Sequence, residues 1–426
     1  MNKSFFVVLL AIVLMACQSK YPGVPEEYHV QLDSAFTKAG ENGAELQKAL
    51  EETPANQKEG MAFLISYMPE RDLTSLSSEF LLENVAFAYK AREKYSWCAS
   101  LPDSIFFNEV LPYANVSEDR DRWRPEFYER FAKYVDDKDN MVDAIMAIAK
   151  NIEKEVGVEY NTKRSRVDIS PFQAIKEHMA TCTGLSILLT DAYRAVGIPS
   201  RLAGTAMWTN FKGNHTWNEV WIDGEWNFIE YYVDTLNQSW FVADAGKADP
   251  DNMLHWIYAA SYKPTGLPYY AAVDAPYVYA KIDTASLPES ARARFAAMKE
   301  RAADLKPYIW GHNVTRRYID IYQESIRNSQ LKENECMVNI AVFEDADTTK
   351  SESRLKCRVD VLKDGKPVNF GYSPRKTDDM NQFLKLKLEK NTGYKLTVTL
   401  PEKNINQSFD VQTDAKSSQD IFLVLK

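Results

Sequence analysis

The sequence predicts an α+β protein with a helical N-terminal region, a core in which a helix packs on an antiparallel sheet, and a C-terminal β-sandwich. Apolar residues recur at the i, i+3, i+4 spacing of helices, with breaks, up to Val196. From Ser200 to Tyr232 the pattern becomes alternating, and Asp223-Gly224 is a strong signal for a two-residue hairpin turn. After residue 334, short alternating segments are separated by turn residues, which is typical of a small β-sandwich.

The same patterns divide the chain of 426 residues into segments, because a chain of this length exceeds one compact core. We assign a signal peptide to 1–16, a lipidated tether to 17–30, a helical region to 31–130, the core to 131–285, a helical connector to 286–333 and the β-sandwich to 334–426. The sandwich carries no obvious reactive cluster, so we expect it to pack against or position the core.

The N-terminus carries the pattern of an export signal. Lys3 precedes an apolar run from Phe5 to Met15, which is too short to span a bilayer and is typical of a signal-peptide core. The residues "LMAC", ending at Cys17, resemble a bacterial lipobox, whose cysteine is lipidated and begins the mature chain. We therefore expect an exported bacterial lipoprotein that faces the periplasm or the cell surface. Its only membrane attachment would be the lipid anchor on Cys17, in the cell membrane or outer membrane.

Composition and motifs argue against several classes of function. The formal net charge is −9 and no Lys/Arg cluster occurs, which argues against a nucleic-acid partner. The sequence has no H-E-x-x-H, no C-x-x-C and no Gly-rich phosphate loop, so we expect neither a metal nor a cofactor. Acidic residues are plentiful, but no pair stands out as a glycoside hydrolase would require. Cys336 and Cys357 flank a predicted strand pair and form either a disulfide or two separate buried thiols.

Cys182 lies at the head of an amphipathic helix that Gly197-Ile198-Pro199 ends. The apolar face of that helix consists of Leu185, Leu188, Leu189, Ala192 and Val196. A helix N-terminus stabilises an anion, because its unpaired N–H groups form the positive end of the dipole. Cys182 is therefore a candidate nucleophile, and a buried structural thiol is the alternative.

The predicted hairpin brings a carboxylate close to His215. Counting outward from the turn pairs Ile222 with Glu225, Trp221 with Trp226, Trp217 with Glu230 and His215 with Tyr232. Glu230 is then a diagonal neighbour of His215, about 7–8 Å away at the backbone, which long side chains can bridge. A carboxylate there would accept the imidazole N–H and fix its tautomer. The sequence thus predicts Cys182 as nucleophile, His215 as base and Glu230 as the acid that orients it.

The segments "TCTGLSILLTDAYRAVGIPSRLAGT" and "NHTWNEVWIDGEWNFIE" resemble the core of the transglutaminase-like superfamily over about residues 135–245. The shared pattern is a Cys that opens a helix, a "GIPAR"-like segment, H-x-W-x-E-V, a short turn, and a Trp followed four residues later by an acid. This resemblance implies a papain-like fold with a Cys-His-Asp triad and acyl or amide chemistry at the thiol. The chain departs from the pattern at Glu230, where Asp is usual.

Other residues remain candidates for parts of the site. Asp234 is a fallback for the orienting acid, and His178 is an alternative base. The backbone N–H of Cys182 is a candidate oxyanion donor, because the nucleophile's own amide often serves. Gln173 is a candidate second donor, and Trp208 and Trp217 are candidates for an oxyanion donor or the pocket wall. Glu219 lies among aromatic residues of the same strand face and would be costly to bury alone, so we expect a structural partner for it.

These observations favour a thiol enzyme that acts on amide or peptide bonds in the cell envelope through a Cys182 thioester. Water or an amine would resolve the thioester, which makes the enzyme a hydrolase or an acyltransferase, and we favour hydrolysis. A peptide, glycopeptide or protein amide would be the substrate. The alternative is an inactive lipoprotein that kept the fold and binds peptide or glycan as a scaffold. A sulfur near an imidazole nitrogen in an open groove would favour the enzyme, and a sulfur sealed under Trp217 or Trp208 would favour the scaffold.

Overall fold

The computed structural model describes residues 19–232, 235–269, 283, 285, 287–289, 292, 309–329, 331–400 and 403–425. It confirms the predicted fold class, because helices come first, an antiparallel sheet follows and the C-terminal strands form two further sheets. The predicted signal peptide, Cys17, Asp234 and residues 286, 290–291, 293–308 and 330 of the predicted helical connector lie outside the described residues. Within the described ranges, no helix is both long and apolar enough to span a bilayer.

The N-terminal part is built from helices that share a hydrophobic core with the helices of the predicted catalytic core. Its α-helices are α1 His29–Ala39, α2 Gly43–Glu52, α3 Lys58–Tyr67, α4 Glu70–Leu73, α5 Ser78–Lys94, α6 Ser96–Ala99 and α7 Asp103–Ile105, followed by a π-helical turn Phe106–Val110. The Ser77 side chain caps α5 by accepting a hydrogen bond from the N–H of Phe80. The Trp97 indole donates to the carbonyl of Val196 at 3.1 Å, so this region buttresses the end of the central helix.

The central helix of the core is completely enclosed. The core helices are α8 Trp123–Val135, α9 Met141–Val156, α10 Pro171–Glu177 and α11 Cys182–Ala195, with a short parallel strand pair, β1 Glu159–Tyr160 and β2 Met179–Ala180, beside them. Every residue of α11 after Cys182 is buried, which differs from the amphipathic helix expected from the sequence. Its polar residues are buried because they have partners. Arg194, for example, donates to the carbonyls of Glu109, Ala114 and Ser200.

The sheet of the core lies against α11 and confirms the predicted hairpin. Its strands are β3 Ser200–Thr205, β4 His215–Ile222, β5 Glu225–Ile229, β6 Ile257–Ser261 and β7 Trp310–Asn313, in the antiparallel order β5-β4-β3-β6-β7. Two helices, α12 Val242–Ala245 and α13 Thr315–Ser329, also belong to this part. Ile222 pairs with Glu225 and Trp221 with Trp226, as the sequence predicts. The ladder ends at Asn218–Ile229, so Glu230 follows the strand instead of pairing with Trp217.

The C-terminal strands form two sheets around one apolar core, which is the predicted sandwich. The strands are β8 Glu335–Phe343, β9 Arg358–Lys363, β10 Lys366–Tyr372, β11 Leu384–Glu389, β12 Gly393–Leu400, β13 Ile405–Gln412 and β14 Ser418–Val424. One sheet has the order β10-β9-β12-β13 and the other β11-β8-β14. Cys336 and Cys357 are both buried and are not joined by a disulfide, so of the two predicted alternatives the structure has two separate buried cysteines.

The sandwich contacts the core through the connection between β10 and β11, which we call the 373–383 loop. The Asn381 side chain donates to the carbonyl of Asn214 at 3.2 Å. Just after the loop, the Lys385 ammonium donates to the carbonyl of Trp240. Arg354, which is 2% exposed, fixes the loop from its buried side by donating to the carbonyls of Asp379 and Gln382. The loop is therefore fixed next to the start of β4.

Candidate active site

Cys182 is the first residue of α11, and its side chain is half-buried while its helix neighbours are sealed. The Thr181 hydroxyl does not cap this helix start; it accepts a hydrogen bond from Arg164 Nε at 3.0 Å. Gly184 lets the helix approach the preceding segment, because a Cβ there would lie 2.5 Å from Ile169 Cγ2 and 2.9 Å from Ala180 Cβ. The fold thus places the sulfur at the positive end of a buried helix, where an anion is favoured.

His215 opens β4 and lies in a buried position, 2% exposed. Its Nε2 lies 2.6 Å from Glu230 Oε1, so the predicted base and orienting acid meet. The Ser239 hydroxyl donates to Oε2 of the same carboxylate and fixes it from the other side. With Nε2 engaged by Glu230, Nδ1 is the ring nitrogen that faces the remaining groups of the site.

A second acidic residue, which sequence reasoning missed, completes the arrangement. Asp379 of the 373–383 loop places Oδ2 3.4 Å from His215 Nδ1. The donor atoms of Cys182, His215 and Asp379 all lie within 4.8 Å of one another. Asp379 belongs to no motif, and its segment lies in a part of the chain with no reactive pattern. Only the docking of the sandwich brings it to the core.

The charges at the site favour an imidazolium between carboxylates. Burial lowers the pKa of His215, but the charge of Asp379 and hydrogen bonds with Asp379, Cys182 and Glu230 raise it well above its ordinary value. Burial raises the pKa of the Asp379 carboxyl, yet the charge and hydrogen bond of His215 and the N–H of Asn381 bring it below its ordinary value. Both directions describe the same ionised pair.

The cavity beside Cys182 is small and mainly apolar. Its volume is about 40 Å³, and Tyr160, Leu185, Trp240 and Gln382 line it together with the three clustered residues. Space of this size holds one or two water molecules.

Trp208 and Trp217 stand behind His215 and do not line this cavity. The ring of Trp217 is 5.6 Å from His215, and its indole N–H donates to the Tyr318 hydroxyl at 2.6 Å. Trp208 stacks on Trp217 and lines a separate cavity of about 970 Å³ between the core and the sandwich. In this arrangement Trp217 therefore packs against the histidine ring on the side away from the cavity. Its indole N–H already donates to Tyr318, so it does not act as an oxyanion donor here.

Glu219 has the structural partners that the sequence led us to expect. It is fully buried, and its carboxylate contacts Arg201 at 2.8 Å, Arg317 at 2.5 Å and the Tyr318 hydroxyl at 2.8 Å. The Arg201 guanidinium also lies 3.6 Å from the centre of the Trp226 ring. This cluster ties the sheet to α13 behind the site.

Two alternative candidates lie away from the cluster. His178 ends α10 in a left-handed conformation, and its Nδ1 contacts the carbonyl of Gly157 at 3.1 Å. The Gln173 amide donates to Ser165 at 3.0 Å and Glu177 at 2.9 Å. Neither side chain lines the cavity at Cys182.

Comparison with known proteins shows which family the core resembles. Residues 129–244 match the family model of the transglutaminase-like superfamily. Among solved structures, the chain is similar to a provisionally assigned cysteine protease from Cytophaga hutchinsonii, with 21% identity and a TM-score of 0.26. That match covers 33% of this chain and 45% of the other, less than half of the solved protein. The comparison with curated proteins gave no match. Residues 129–244 of this α+β chain are therefore a transglutaminase-like core, a fold that in general terms supports a thiol enzyme.

Proposed function

We propose that this protein is a thiol enzyme that hydrolyses amide or peptide bonds, with Cys182 as nucleophile, His215 as proton carrier and Glu230 as its orienting acid. The observation that carries the proposal is the placement of His215 between Glu230 at 2.6 Å and the Cys182 sulfur at a helix start. A nucleophile, a base and a group that orients the base are the parts that covalent acyl transfer requires.

The proposed reaction proceeds in two steps. The Cys182 thiolate attacks the amide carbonyl, and the proton on His215 passes to the leaving amine as the C–N bond breaks and a thioester forms. Water then attacks the thioester, His215 takes its proton, and the thiolate leaves with release of the acid. Glu230 holds the ring through Nε2 and stabilises its charged form in both steps. We favour water over an amine as the acceptor, because an exported enzyme meets water in excess.

The lipobox-like sequence at Cys17 supports an exported, lipid-anchored protein of the cell envelope, so we propose peptides, glycopeptides or proteins of that compartment as substrates. The cavity of about 40 Å³ is too small for these, so the 373–383 loop would have to withdraw before they bind.

That narrow cavity favours a second candidate, an inactive scaffold whose site the sandwich keeps closed. In this case the fold would be retained for binding peptide or glycan elsewhere on the envelope protein. The two candidates differ in whether Cys182 reacts in the folded protein.

Iodoacetamide labelling of the full chain at neutral pH distinguishes the enzyme from the scaffold. The extent of labelling is measured for each cysteine by mass spectrometry of its peptide. We expect Cys182 to react far faster than Cys98, Cys336 and Cys357, which are buried. The Cys182→Ala variant should lose the fast-labelled site and should no longer cleave a peptide library. When the wild type cleaves the library in ¹⁸O-labelled water, one labelled oxygen should enter each product acid. No reaction at Cys182 would reject the enzyme, and labelling without cleavage would favour the scaffold.

A further inference from the structure

Three chemically different donor atoms lie close together at the N-terminal end of α11. They are the sulfur of Cys182, a ring nitrogen of His215 and a carboxylate oxygen of Asp379, all within 4.8 Å of one another, and Nδ1 is the ring nitrogen that faces Asp379. Two come from the core and the third comes from the sandwich. We propose that these three residues bind a zinc-class divalent metal ion, which blocks the thiol and joins the 373–383 loop to the core. This inference does not depend on the proposed hydrolysis.

One pair of donors already has the spacing that such an ion needs, and the other pairs, which lie within 4.8 Å, would have to close by up to about 1 Å. Zinc takes sulfur at about 2.3 Å and nitrogen or oxygen at about 2.0–2.2 Å in a tetrahedron, so its ligands lie roughly 3.3–3.8 Å from one another. Asp379 Oδ2 and His215 Nδ1 are already 3.4 Å apart. The metal would therefore bind with little movement of the carboxylate relative to the ring.

The groups behind the donors hold them in the orientation that a metal needs. Glu230 engages His215 Nε2 at 2.6 Å, which directs Nδ1 toward the cluster and makes it the more basic nitrogen. Asn381 donates to Asp379 Oδ1 from its backbone N–H at 2.9 Å and from its side chain at 3.2 Å. Oδ2 is thus the carboxylate oxygen that faces the ring, and it would act as a single ligand atom. A carboxylate on a ligating imidazole is the common support of zinc sites.

The cavity leaves room for one further small ligand. Its volume of about 40 Å³ accommodates a water molecule at the fourth tetrahedral position. Tyr160 and Trp240 are among the residues that line it. A mixed sulfur, nitrogen and oxygen set favours zinc over magnesium or calcium, which prefer oxygen ligands.

Metal binding changes the chemistry of the site in a defined way. The ion takes the Cys182 thiolate and the Nδ1 lone pair, and the proton that Nδ1 carried passes to solvent. A bound thiolate no longer attacks a carbonyl or an alkylating agent. The metal would also link the sandwich to the core through Asp379, so it would hold the loop closed.

The test uses the purified full chain after chelator treatment, with Zn²⁺ alone as the probe in competition with a chromophoric chelator. We expect one Zn²⁺ per chain and slowed iodoacetamide labelling of Cys182, reversed by added chelator. Asp379→Asn should weaken binding at least about tenfold, since a neutral amide oxygen replaces the charged carboxylate ligand. Asp364→Asn should bind as the wild type does, because Asp364 is an exposed turn residue of the same sandwich.

Cobalt provides a spectroscopic readout of the cysteine ligand that requires neither an affinity measurement nor enzyme activity. With Co²⁺ in place of Zn²⁺, the wild type should show the near-ultraviolet charge-transfer band of a cobalt thiolate, and Cys182→Ser should lack it. Absence of stoichiometric Zn²⁺ binding would overturn the proposal, as would a cobalt thiolate band in Cys182→Ser. Unchanged Zn²⁺ affinity in Asp379→Asn would also overturn it, because Cys182 and His215 alone would then explain the binding.

Discussion

Asp379 of the C-terminal sandwich and His215 of the core form an ionic contact, with Oδ2 3.4 Å from Nδ1. Glu230 engages the opposite ring nitrogen at 2.6 Å, so the imidazole lies between two carboxylates. One carboxylate comes from the same hairpin as the histidine and the other from the sandwich. The sandwich therefore contributes a charged side chain to the site, in addition to the packing or positioning role that we expected for it.

Removing the support beneath the 373–383 loop should expose the thiol. In Arg354→Met the loop loses two hydrogen bonds from the guanidinium to the carbonyls of Asp379 and Gln382. A charged hydrogen bond contributes about 1.5–3 kcal/mol, and loss of even one corresponds to about tenfold or more, so we expect Cys182 to be alkylated at least about tenfold faster than in the wild type. The measurement is the rate of iodoacetamide labelling, resolved by cysteine.

The control for the loop variant is Arg358→Met, which removes a partly exposed guanidinium that pairs with Asp360 on the same strand. Its labelling rate should match that of the wild type. Faster labelling of Cys336 and Cys357 in Arg354→Met would reveal general unfolding of the sandwich, and an unchanged rate at Cys182 would refute the role of the loop as a cover.

Neutralising Glu230 should slow the reaction of Cys182. Glu230→Gln removes the negative charge that stabilises the His215 imidazolium through Nε2, so fewer molecules carry the ion pair with a thiolate. We expect iodoacetamide labelling to slow by about tenfold or more, since the acid of such triads contributes strongly. Glu225→Gln, an exposed change on the same hairpin, is the matched control and should be neutral. Equal rates in the two variants would contradict an orienting role for Glu230.

The Glu219 cluster should matter for stability. Glu219→Ala leaves Arg201 buried without the carboxylate that lies 2.8 Å away. Removal of one partner of a buried ion pair costs about 3–5 kcal/mol, so the free energy of unfolding should fall by that amount in urea denaturation. Glu225→Ala should change it by less than about 0.5 kcal/mol, as exposed substitutions usually do. A loss below about 1 kcal/mol in Glu219→Ala would show that the cluster is not structural.

Asp191 should make the stability of the protein depend on pH. Burial raises the pKa of this carboxyl well above its ordinary value, and the charge of Glu118 adds to the effect. Its Oδ1 accepts from the Asn115 amide at 2.8 Å, whereas the buried Oδ2 has no hydrogen-bond partner in the described part of the chain. The protonated form is thus favoured by folding.

The sign follows from linkage. A raised folded-state pKa contributes stability that is complete below the unfolded pKa of about 3.9 and is lost as the pH rises through the folded value. Asp191→Asn removes the ionisable group and keeps the oxygen that accepts from Asn115. We expect the variant to gain about 1–3 kcal/mol relative to the wild type between about pH 4 and pH 8. Urea unfolding across that range measures the difference, with Asp364→Asn as control; a constant difference would contradict the prediction.

The local parts of the site could be predicted because each depends on short-range rules. A helical period that ends at Gly197-Ile198-Pro199 sets the start and length of α11, and a two-residue turn at Asp223-Gly224 fixes the register that leads to His215 and Glu230. Even here the prediction was incomplete. The ladder stops before Glu230, and it is the side chain of Glu230 that makes the contact.

By itself, the sequence determined the fold class, the helix that opens at Cys182 and the hairpin that carries His215. Periodicity and turn chemistry act over neighbouring residues, so they can be read along the chain. Tertiary structure alone decided that Asp379 meets His215, that α11 is enclosed on all sides and that the cavity is narrow. The first and the last depend on how the sandwich and the core pack together, whereas α11 is enclosed by the surrounding helices and the core sheet. Such packing depends on the shape and charge of two distant surfaces, which leave no periodic trace in the sequence.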